Sequence, residues 1–488
     1  MSGLARRAVV LALSRFANYG LMIISPVILV RLLSVGDFGR YREFLLYSTL
    51  IQSFAAFSIN DSLLYLIPRH PHSLWQIVRQ SVFLTFISSA LVVGVSFAVD
   101  SLTGGALFGP FRLQVSLYVL LFVNIDFWES FFLAEHRPMP VVVYTLGRLV
   151  LRMIVVVGVA TATRDVDKII WALVILELIR LILASFIWRK LRGGDSRTPS
   201  PEIWREQVQF CVPVGLAVIF SMANRNLGNL AVAKVLGAAA LAQYTIGTYG
   251  DPIVVALRNS ISTVLLPEMV KRNAASSEGR LELWRRTTVV NCILLFPIAV
   301  IGWRYAEQLI VHVFGANYRP AAPVMQLYMI VILRECFDFS PALRAVNRTR
   351  PLMYSNLLAG LVSVIGLYAL MPSFGLSGAM TARIVSGFGD ALYLGLSVML
   401  LYKVTLQEML PWASILKTAL AAVGASIVFF TSLWTDLLGL PGIVLASTIY
   451  GIAFLLLLKT MNVLEFSLIW NKLTTQFPRL SFGRKEFR

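Results

Sequence analysis

Residues 30–41 read VRLLSVGDFGRY, and residues 233–244, about two hundred positions later, read AKVLGAAALAQY. Each stretch follows a long apolar run, has a basic residue at its second position (Arg31 and Lys234), passes through small residues and ends on Tyr. The same order of features at two places predicts that the chain contains one structural unit twice. A chance similarity between two small-residue loops is the alternative.

The composition of the chain defines the class of protein that carries this repeat. Of its 488 residues 57% are hydrophobic and 14% are charged, and the mean hydropathy is +0.75. Apolar runs recur from end to end, each long enough to cross a bilayer of about 30 Å as a helix rising about 1.5 Å per residue. Because these runs are continuous rather than short and alternating, they indicate a polytopic α-helical membrane protein and exclude a transmembrane β-barrel.

The net charge of +18 does not indicate a nucleic-acid partner, since the basic residues are scattered through short loops and form no separate basic domain. The three cysteines lie in apolar stretches at spacings that fit no metal or redox motif, and they are expected to be buried free thiols. The chain also has no P-loop. We therefore expect no metal, no cofactor and no direct use of ATP.

Fourteen apolar spans separate the charged and Gly/Pro-containing breaks. They lie near 8–33, 43–66, 79–99, 112–134, 140–161, 168–188, 208–233, 244–267, 287–309, 321–345, 351–372, 376–402, 412–435 and 441–458. Most Lys and Arg of the loops fall on one side, for example in RKLRGGDSR (189–197). Because positively charged loops face the cytoplasm, this bias predicts that both termini are cytoplasmic.

The repeat agrees with this topology, since the two quoted stretches end spans one and seven and so lie on the same side of the membrane. Asn60 stands eight residues before Pro68 in span two, and Asn259 stands eight residues before Pro267 in span eight. Repeats of this kind are related by an axis along the membrane normal and hold substrate where they meet. The predicted organisation is a six-helix lobe (1–190), a cytoplasmic linker (191–207), a pseudo-symmetric second six-helix lobe (208–402) and two additional helices with a basic cytoplasmic tail (403–488).

Four stretches in this order resemble the MOP transporter superfamily and, within it, the Wzx-type polysaccharide flippases: VRLLSVGDFGRY (30–41), KVLGAAALAQYTIG (234–247), VFGANYRPAAPVMQL (313–327) and FGLSGAMTARIVS (374–386). The resemblance implies a two-lobed transporter with a central cavity. It also implies the cargo, an undecaprenyl-diphosphate-linked oligosaccharide moved from the inner to the outer leaflet of a bacterial inner membrane. The last two spans would then be additions outside the two lobes.

Arginines inside the predicted spans are the first candidates for a binding site. A charge at mid-bilayer costs at least about 2.5–3.5 kcal/mol on insertion scales, so each one needs a partner or water. Arg15 and Arg225 have no acid within one helical turn, and Arg258 has its nearest acid, Asp251, two turns away. Guanidinium groups bind diphosphate oxygens in bidentate fashion, so these three are predicted to bind the cargo's anionic group. Snorkelling to an interface, or a structural ion pair, is the alternative.

A second set of charges lies in spans four and five. Asp126 and Glu129 stand at a depth similar to that of Arg148 and Arg152 on the adjacent antiparallel helix. Structural ion pairs within the first lobe are the favoured interpretation. Substrate binding by Arg148 and Arg152 is the alternative. Two pairs stand on one face of a single predicted helix: Glu177 and Arg180, three residues apart in span six, and Arg334 and Asp338, four residues apart in span ten.

Buried amides and one acid complete the candidate site. Asn60 and Asn259 could donate hydrogen bonds to sugar hydroxyls or bind neighbouring helices. Asp61 is the candidate for coupling to protons or Na⁺, with a salt bridge to Arg15 or Arg258 as the alternative. The expected partners are the lipid-linked oligosaccharide, membrane lipids and a glycan polymerase or export machinery.

We therefore predict a flippase for O-antigen, capsule or exopolysaccharide synthesis that works by alternating access and is not an enzyme. A MATE-like exporter of cationic compounds is the nearest alternative, and it would need acids rather than arginines in the cavity. A lipid II flippase of the same superfamily differs only in cargo. A membrane-embedded glycan polymerase or ligase usually needs a large periplasmic loop, and the longest here (304–320) is short.

Overall fold

The computed structural model of the chain describes residues 20, 24–105, 108–135, 137–191, 201–271, 277–346, 348–431 and 439–468. Every regular element in these ranges is helical, and none of them contains a strand. The chain divides into two compact units, Met1–Gln243 and Tyr244–Arg488, which are described separately below.

The described part of the first unit contains nine helices and the beginning of a tenth. They are α1 (24–32), α2 (Val35–Ala56), α3 (Ile59–Arg69), α4 (Leu74–Leu102), α5 (Arg112–Val123), α6 (Phe127–Ala134), α7 (Pro138–Thr163), α8 (Val166–Leu191), α9 (Pro201–Ala231) and α10 (Ala238–Gly247). Helix α9 was predicted as the first span of the second lobe, and it packs here against α2 and α3. The predicted lobe limits stay a prediction.

The second unit continues from α10 with ten further helices in its described part. They are α11 (Asp251–Lys271), α12 (Ser277–Phe314), α13 (Ala322–Glu335), α14 (Ser340–Arg344), α15 (Arg350–Tyr402), α16 (Leu406–Met409), α17 (Trp412–Ala425), α18 (Val428–Thr431), α19 (Leu440–Thr460) and α20 (464–468). Helix α15 changes direction at Gly375, which has φ +54° and ψ −128°. Spans eleven and twelve were predicted to part at this position.

Spans two, four, eight and ten are each two helices rather than the single helix that the apolar runs predicted. Between α2 and α3, Phe57 and Ser58 adopt left-handed φ values of 41° and 53°. Residues 124–126 separate α5 from α6, residues 248–250 separate α10 from α11, and residues 336–339 separate α13 from α14. Backbone groups freed at such breaks are tolerated in a membrane only where protein or water satisfies them. The breaks therefore mark depths at which polar groups gather.

The outer faces of the long helices are apolar, as a lipid-facing surface requires. Leu91 on α4 is 62% exposed and Leu361 on α15 is 59% exposed, whereas the interior of each unit holds large buried side chains such as Tyr118 and Trp284. Ten helices in the described part are long and apolar enough to cross a membrane. The prediction of an all-α polytopic membrane protein is confirmed.

Candidate functional site: ion-pair clusters inside the two units

The break in span four carries the first cluster of the first unit. Asp126 precedes α6, and its carboxylate accepts a hydrogen bond from the Arg148 guanidinium of α7. The same guanidinium lies 5.4 Å from the ring centre of Phe122 and 5.9 Å from that of Tyr144. A cation between two aromatic faces is stabilised further by their quadrupoles. The predicted pairing of Asp126 with Arg148 is confirmed.

A second ion pair lies within α8 of the same unit. The Glu177 side chain is 2% exposed and that of Arg180 is 10% exposed, and the two are hydrogen-bonded as their spacing predicted. Arg180 also donates to the Tyr144 hydroxyl at 2.9 Å, which in turn donates to the Ile125 carbonyl at 3.2 Å. This chain of bonds joins α8 to α7 and to the backbone of the span-four break. The two ion pairs therefore form one network.

Asp61 and Asn60 lie beside a cavity of about 350 Å³ in the first unit. Asp126 and Glu129 line the same cavity, so three carboxylates converge there. The Oδ1 atom of Asn60 and the hydroxyl of Ser58 are buried with no hydrogen-bond partner in the described part of the chain. Carboxylates and polar groups around a cavity can bind a cation or exchange protons with water. The structure thus places the predicted coupling residue Asp61 in an acidic cavity.

The second unit holds a corresponding network at the break of span ten. Arg258 of α11 is bonded to the Glu335 carboxylate at the end of α13. Glu335 also accepts from Arg334 at 3.2 Å, and Arg334 is bonded to Asp390 of α15 and donates to the Gly387 carbonyl at 3.0 Å. Four charged groups from three helices are therefore joined. The Nε atom of Arg258 is buried without a hydrogen-bond partner among the described residues.

Two further acids of this unit stand at helix breaks. Asp251 begins α11 and accepts from Arg383 at 2.6 Å and from the Tyr328 hydroxyl at 2.9 Å. Asp338, in the break of span ten, accepts from the Ser262 hydroxyl at 2.7 Å. The nearest acid to Arg258 in sequence is therefore bonded to a different arginine.

The remaining predicted site residues lie apart from these networks or outside the described part. Arg15 lies outside the described residues. Arg225 is exposed on α9 of the first unit, and Asn259 is exposed on α11 of the second. Arg152 of α7 is half-buried and lies close to the Tyr41 and Tyr118 hydroxyls rather than to an acid of span four.

The predicted pairing of Arg334 with Asp338 is wrong, because α13 ends at Glu335 and Arg334 is bonded to Glu335 and Asp390 instead. Sequence analysis also missed Glu335, Asp390 and Arg383 as members of a cluster. The signal for Glu335 was the stretch RECFDFSP (334–341), which places three charges inside an apolar run. Asp390 and Arg383 are single charges in long apolar stretches of α15. The cost of burying a lone charge could have identified them as partners for other charges.

Comparisons with known proteins agree with this architecture. A family model described as "Polysaccharide biosynthesis protein" matches residues 28–323, more than half of the chain. No curated protein matches the sequence.

Solved structures of membrane transporters resemble the fold, among them the following three. The lipid II flippase MurJ in an inward closed conformation matches with a TM-score of 0.65 and 14% identity, covering 91% of this chain and 98% of its own. A MOP superfamily transporter from Pyrococcus furiosus matches with a TM-score of 0.55 and 11% identity, covering 81% and 95%. A variant of the Vibrio cholerae MATE transporter VcmN matches with a TM-score of 0.52 and 12% identity, covering 82% and 95%. The fold is therefore similar to those of MurJ and of MOP superfamily transporters, which agrees with the resemblance that the motifs carry.

Proposed function

The chain belongs to the family of polysaccharide biosynthesis proteins, and from that premise we propose that it is a flippase for an undecaprenyl-diphosphate-linked oligosaccharide. It carries this lipid from the cytoplasmic to the periplasmic leaflet of a bacterial inner membrane, for O-antigen, capsule or exopolysaccharide synthesis. The fold it shares with the lipid II flippase MurJ supports a lipid-linked cargo. The chain catalyses no covalent step in this proposal.

The observation that carries the proposal is the arginine network of the second unit. Among the described residues, the buried Nε donor of Arg258 has no partner, while the Nη1 atom binds Glu335. A diphosphate offers more oxygen acceptors than one carboxylate, so it can take the free donor and compete with Glu335 for the rest of the guanidinium. Arg15 would be the second ligand of the diphosphate. Arg225, Arg148 and Arg152 are the further candidates, and Asn60 and Asn259 would bind sugar hydroxyls.

Transport would proceed by alternating access. The anionic group enters from the cytoplasmic side, the protein closes behind it, and the site opens to the periplasm while the acyl chains stay in lipid. Asp61 would couple this cycle to protons or Na⁺, because it lines the acidic cavity of the first unit. A cation bound there would neutralise part of the charge of three carboxylates.

The proposal includes the surroundings of the protein. Both termini would be cytoplasmic, as the distribution of Lys and Arg predicts. The partners would be the lipid-linked oligosaccharide, membrane lipids and the glycan polymerase or export machinery that consumes the product.

A MATE-like exporter of cationic compounds is the second candidate function. The acidic cavity lined by Asp61, Asp126 and Glu129 favours it, as does the similarity to MATE structures. The two functions differ in phenotype. Loss of a glycan flippase abolishes surface glycan and leaves the lipid-linked precursor on the cytoplasmic side, whereas loss of an exporter lowers resistance to cationic drugs.

The test is glycan export in a strain that lacks the chain and is complemented with variants, with the amount of protein in the membrane measured alongside. Arg258→Ala is expected to reduce export at least tenfold, and Arg258→Lys to restore part of it, since Lys keeps the charge without the bidentate geometry. Arg15→Ala is expected to have the same effect. Arg286→Ala is the matched control, because this arginine is exposed and bonded to Glu282 at 2.7 Å on the surface of α12.

A double variant separates binding from structure. Arg258→Ala alone leaves Glu335 with one partner fewer, which can itself impair folding. Arg258→Ala combined with Glu335→Gln removes that unpaired charge but does not restore a ligand for the diphosphate. Export should therefore stay low in the double variant. Recovery of export would mean that Arg258 serves only to neutralise Glu335, and the binding role would be abandoned.

A further inference from the structure

The first part of α9 is bonded to α3 and α4 through a buried polar network. Gln207 is fully buried, and its Nε2 atom donates to the hydroxyls of Ser62 and Ser81, each at 2.7 Å. Its Oε1 atom accepts from Nε2 of Gln80 at 2.6 Å. Ser62, Gln80 and Ser81 are each at most 1% exposed. One side chain of α9 thus holds two neighbouring helices by hydrogen bonds alone.

A second layer of contacts lies beyond this network, toward the predicted cytoplasmic surface. The Glu206 carboxylate binds Arg69 at 3.2 Å and the Nε2 atom of His70 at 2.9 Å, at the end of α3. The rings of Tyr65 and Phe210 stack with centroids 5.1 Å apart. The contacts between α3 and α9 therefore continue to the end of α3 and toward the start of α9.

Helix α3 and the first part of α9 are each bounded on one side by a helix interruption or a proline. These two positions lie in contact. Helix α3 begins after the left-handed pair Phe57–Ser58, and α9 contains Pro213, which cannot complete the helical hydrogen-bond ladder. A Cβ placed on Gly215 would lie 3.0 Å from the ring and the carbonyl of Phe57. Residues 59–69 therefore begin at a break between two helices, and residues 201–212 end at a proline within the continuous helix α9, beside that break.

The chemistry of the contact fits a connection that opens and closes. Hydrogen bonds between helices in a bilayer are individually weak, because the separated groups find other partners, including water. The outer ion pairs of Glu206 are partly exposed and screened by salt. Apolar side chains in the same contact would find no such partners when its opening exposed them to a water-filled cavity.

We propose that residues 59–69 and 201–212, with Gln80 and Ser81, form a latch on the predicted cytoplasmic side of the first unit, and that the latch is closed in the conformation described here. The latch breaks at Gln207 and Glu206 when this side opens and forms again in every cycle. The inference rests on the proposed transport function for its place in a cycle. The accessibility experiment below does not depend on the cargo.

The first experiment closes the latch covalently. In a chain whose three cysteines are replaced, Ser62→Cys and Gln207→Cys are joined by a bifunctional methanethiosulfonate reagent of about one glutamine's length, and a reductant releases them. Glycan export is expected to fall at least tenfold on cross-linking and to recover on reduction. Ser89→Cys with Asn124→Cys is the matched control, because these residues join α4 to α5 by a 2.9 Å hydrogen bond outside the latch. Cross-linking the control pair should change export less than twofold.

The second experiment measures whether the latch is open or closed, and it needs no cargo. Ser130→Cys lines the acidic cavity, and its labelling by a membrane-impermeant maleimide is measured in inside-out vesicles. Gln207→Ala is expected to accelerate labelling severalfold, and the Ser62–Gln207 cross-link to slow it. If the maleimide labels Ser130→Cys at the same rate with Gln207→Ala, with the latch intact and with the latch cross-linked, the contact is permanent. Such a result would overturn the latch, whatever the export assay gives. If the labelling rate changes between these three states but the chain supports no glycan export, the proposed function is overturned and the latch stands.

Discussion

The ion pair of Glu177 and Arg180 allows a quantitative test of how charge is held inside the first unit. Both side chains lie in predicted span six, with exposures of 2% and 10%. Glu177→Leu removes the carboxylate and leaves the Arg180 guanidinium with Tyr144 as its remaining partner in the described part of the unit. Breaking one side of a buried pair costs about 3–5 kcal/mol, whereas replacing both partners by apolar residues is often neutral. We therefore expect Glu177→Leu to be strongly destabilising, and Glu177→Leu/Arg180→Leu to cost less than about 1.5 kcal/mol.

The assay is a double-mutant cycle on the purified protein in detergent, following thermal unfolding of the two single variants and the double variant. A loss of about 3 kcal/mol in a unit of this size corresponds to a fall in Tm on the order of 10 °C. The double variant should recover most of this fall and should retain glycan export, since the pair is structural. The reasoning is refuted if the two single effects add in the double variant, because additive effects mean that the charges do not interact.

Three glycine substitutions give further tests of the packing. Gly39→Ala should destabilise the first unit by about 1–3 kcal/mol, because its Cβ would overlap the backbone carbonyl of Ala238, and unfolding in detergent measures this. Gly302→Ala should cost less than about 1 kcal/mol in the same assay, since its Cβ would meet only the flexible end of Met329. Gly375→Ala should cost about 1–3 kcal/mol, because φ +54° with ψ −128° lies in a region that a Cβ disfavours, and a neutral result would show that α15 is straight there in solution.

Hydropathy and local spacing predicted most of the fold and two pairs that are near in sequence, but not the partners of Arg334, which lies where span ten is broken. Continuous apolar runs are sufficient to define membrane helices, since nothing else satisfies the backbone in lipid. The Glu177–Arg180 pair follows from its i,i+3 spacing, and the Asp126–Arg148 pair from a short turn between adjacent spans. These predictions depend on geometry within about one helical turn or one hairpin.

Pairs between distant segments were beyond the reach of the sequence. Arg258 and Glu335 are 77 residues apart, and Asp251 and Arg383 are 132 residues apart, so which acid binds which arginine depends on tertiary packing. The break at Phe57–Ser58 was also missed, because the surrounding stretch FAAFSIND contains no Gly or Pro. Helix α9 packs against this break. The left-handed backbone of Phe57 and Ser58 therefore goes with tertiary packing and not with a local sequence preference.

The interrupted spans determine how mechanical force passes through the protein. An unbroken helix acts as a rigid lever, so a displacement applied at one membrane surface appears at the other. A span divided at Phe57–Ser58, or at residues 124–126, 248–250 or 336–339, acts as a jointed rod and absorbs the displacement at the joint. Movement at one surface therefore need not be transmitted to the opposite surface. In the proposed transport cycle, such joints would let one side of the membrane be sealed before the other is released, so that a large molecule would cross without a state that leaks ions.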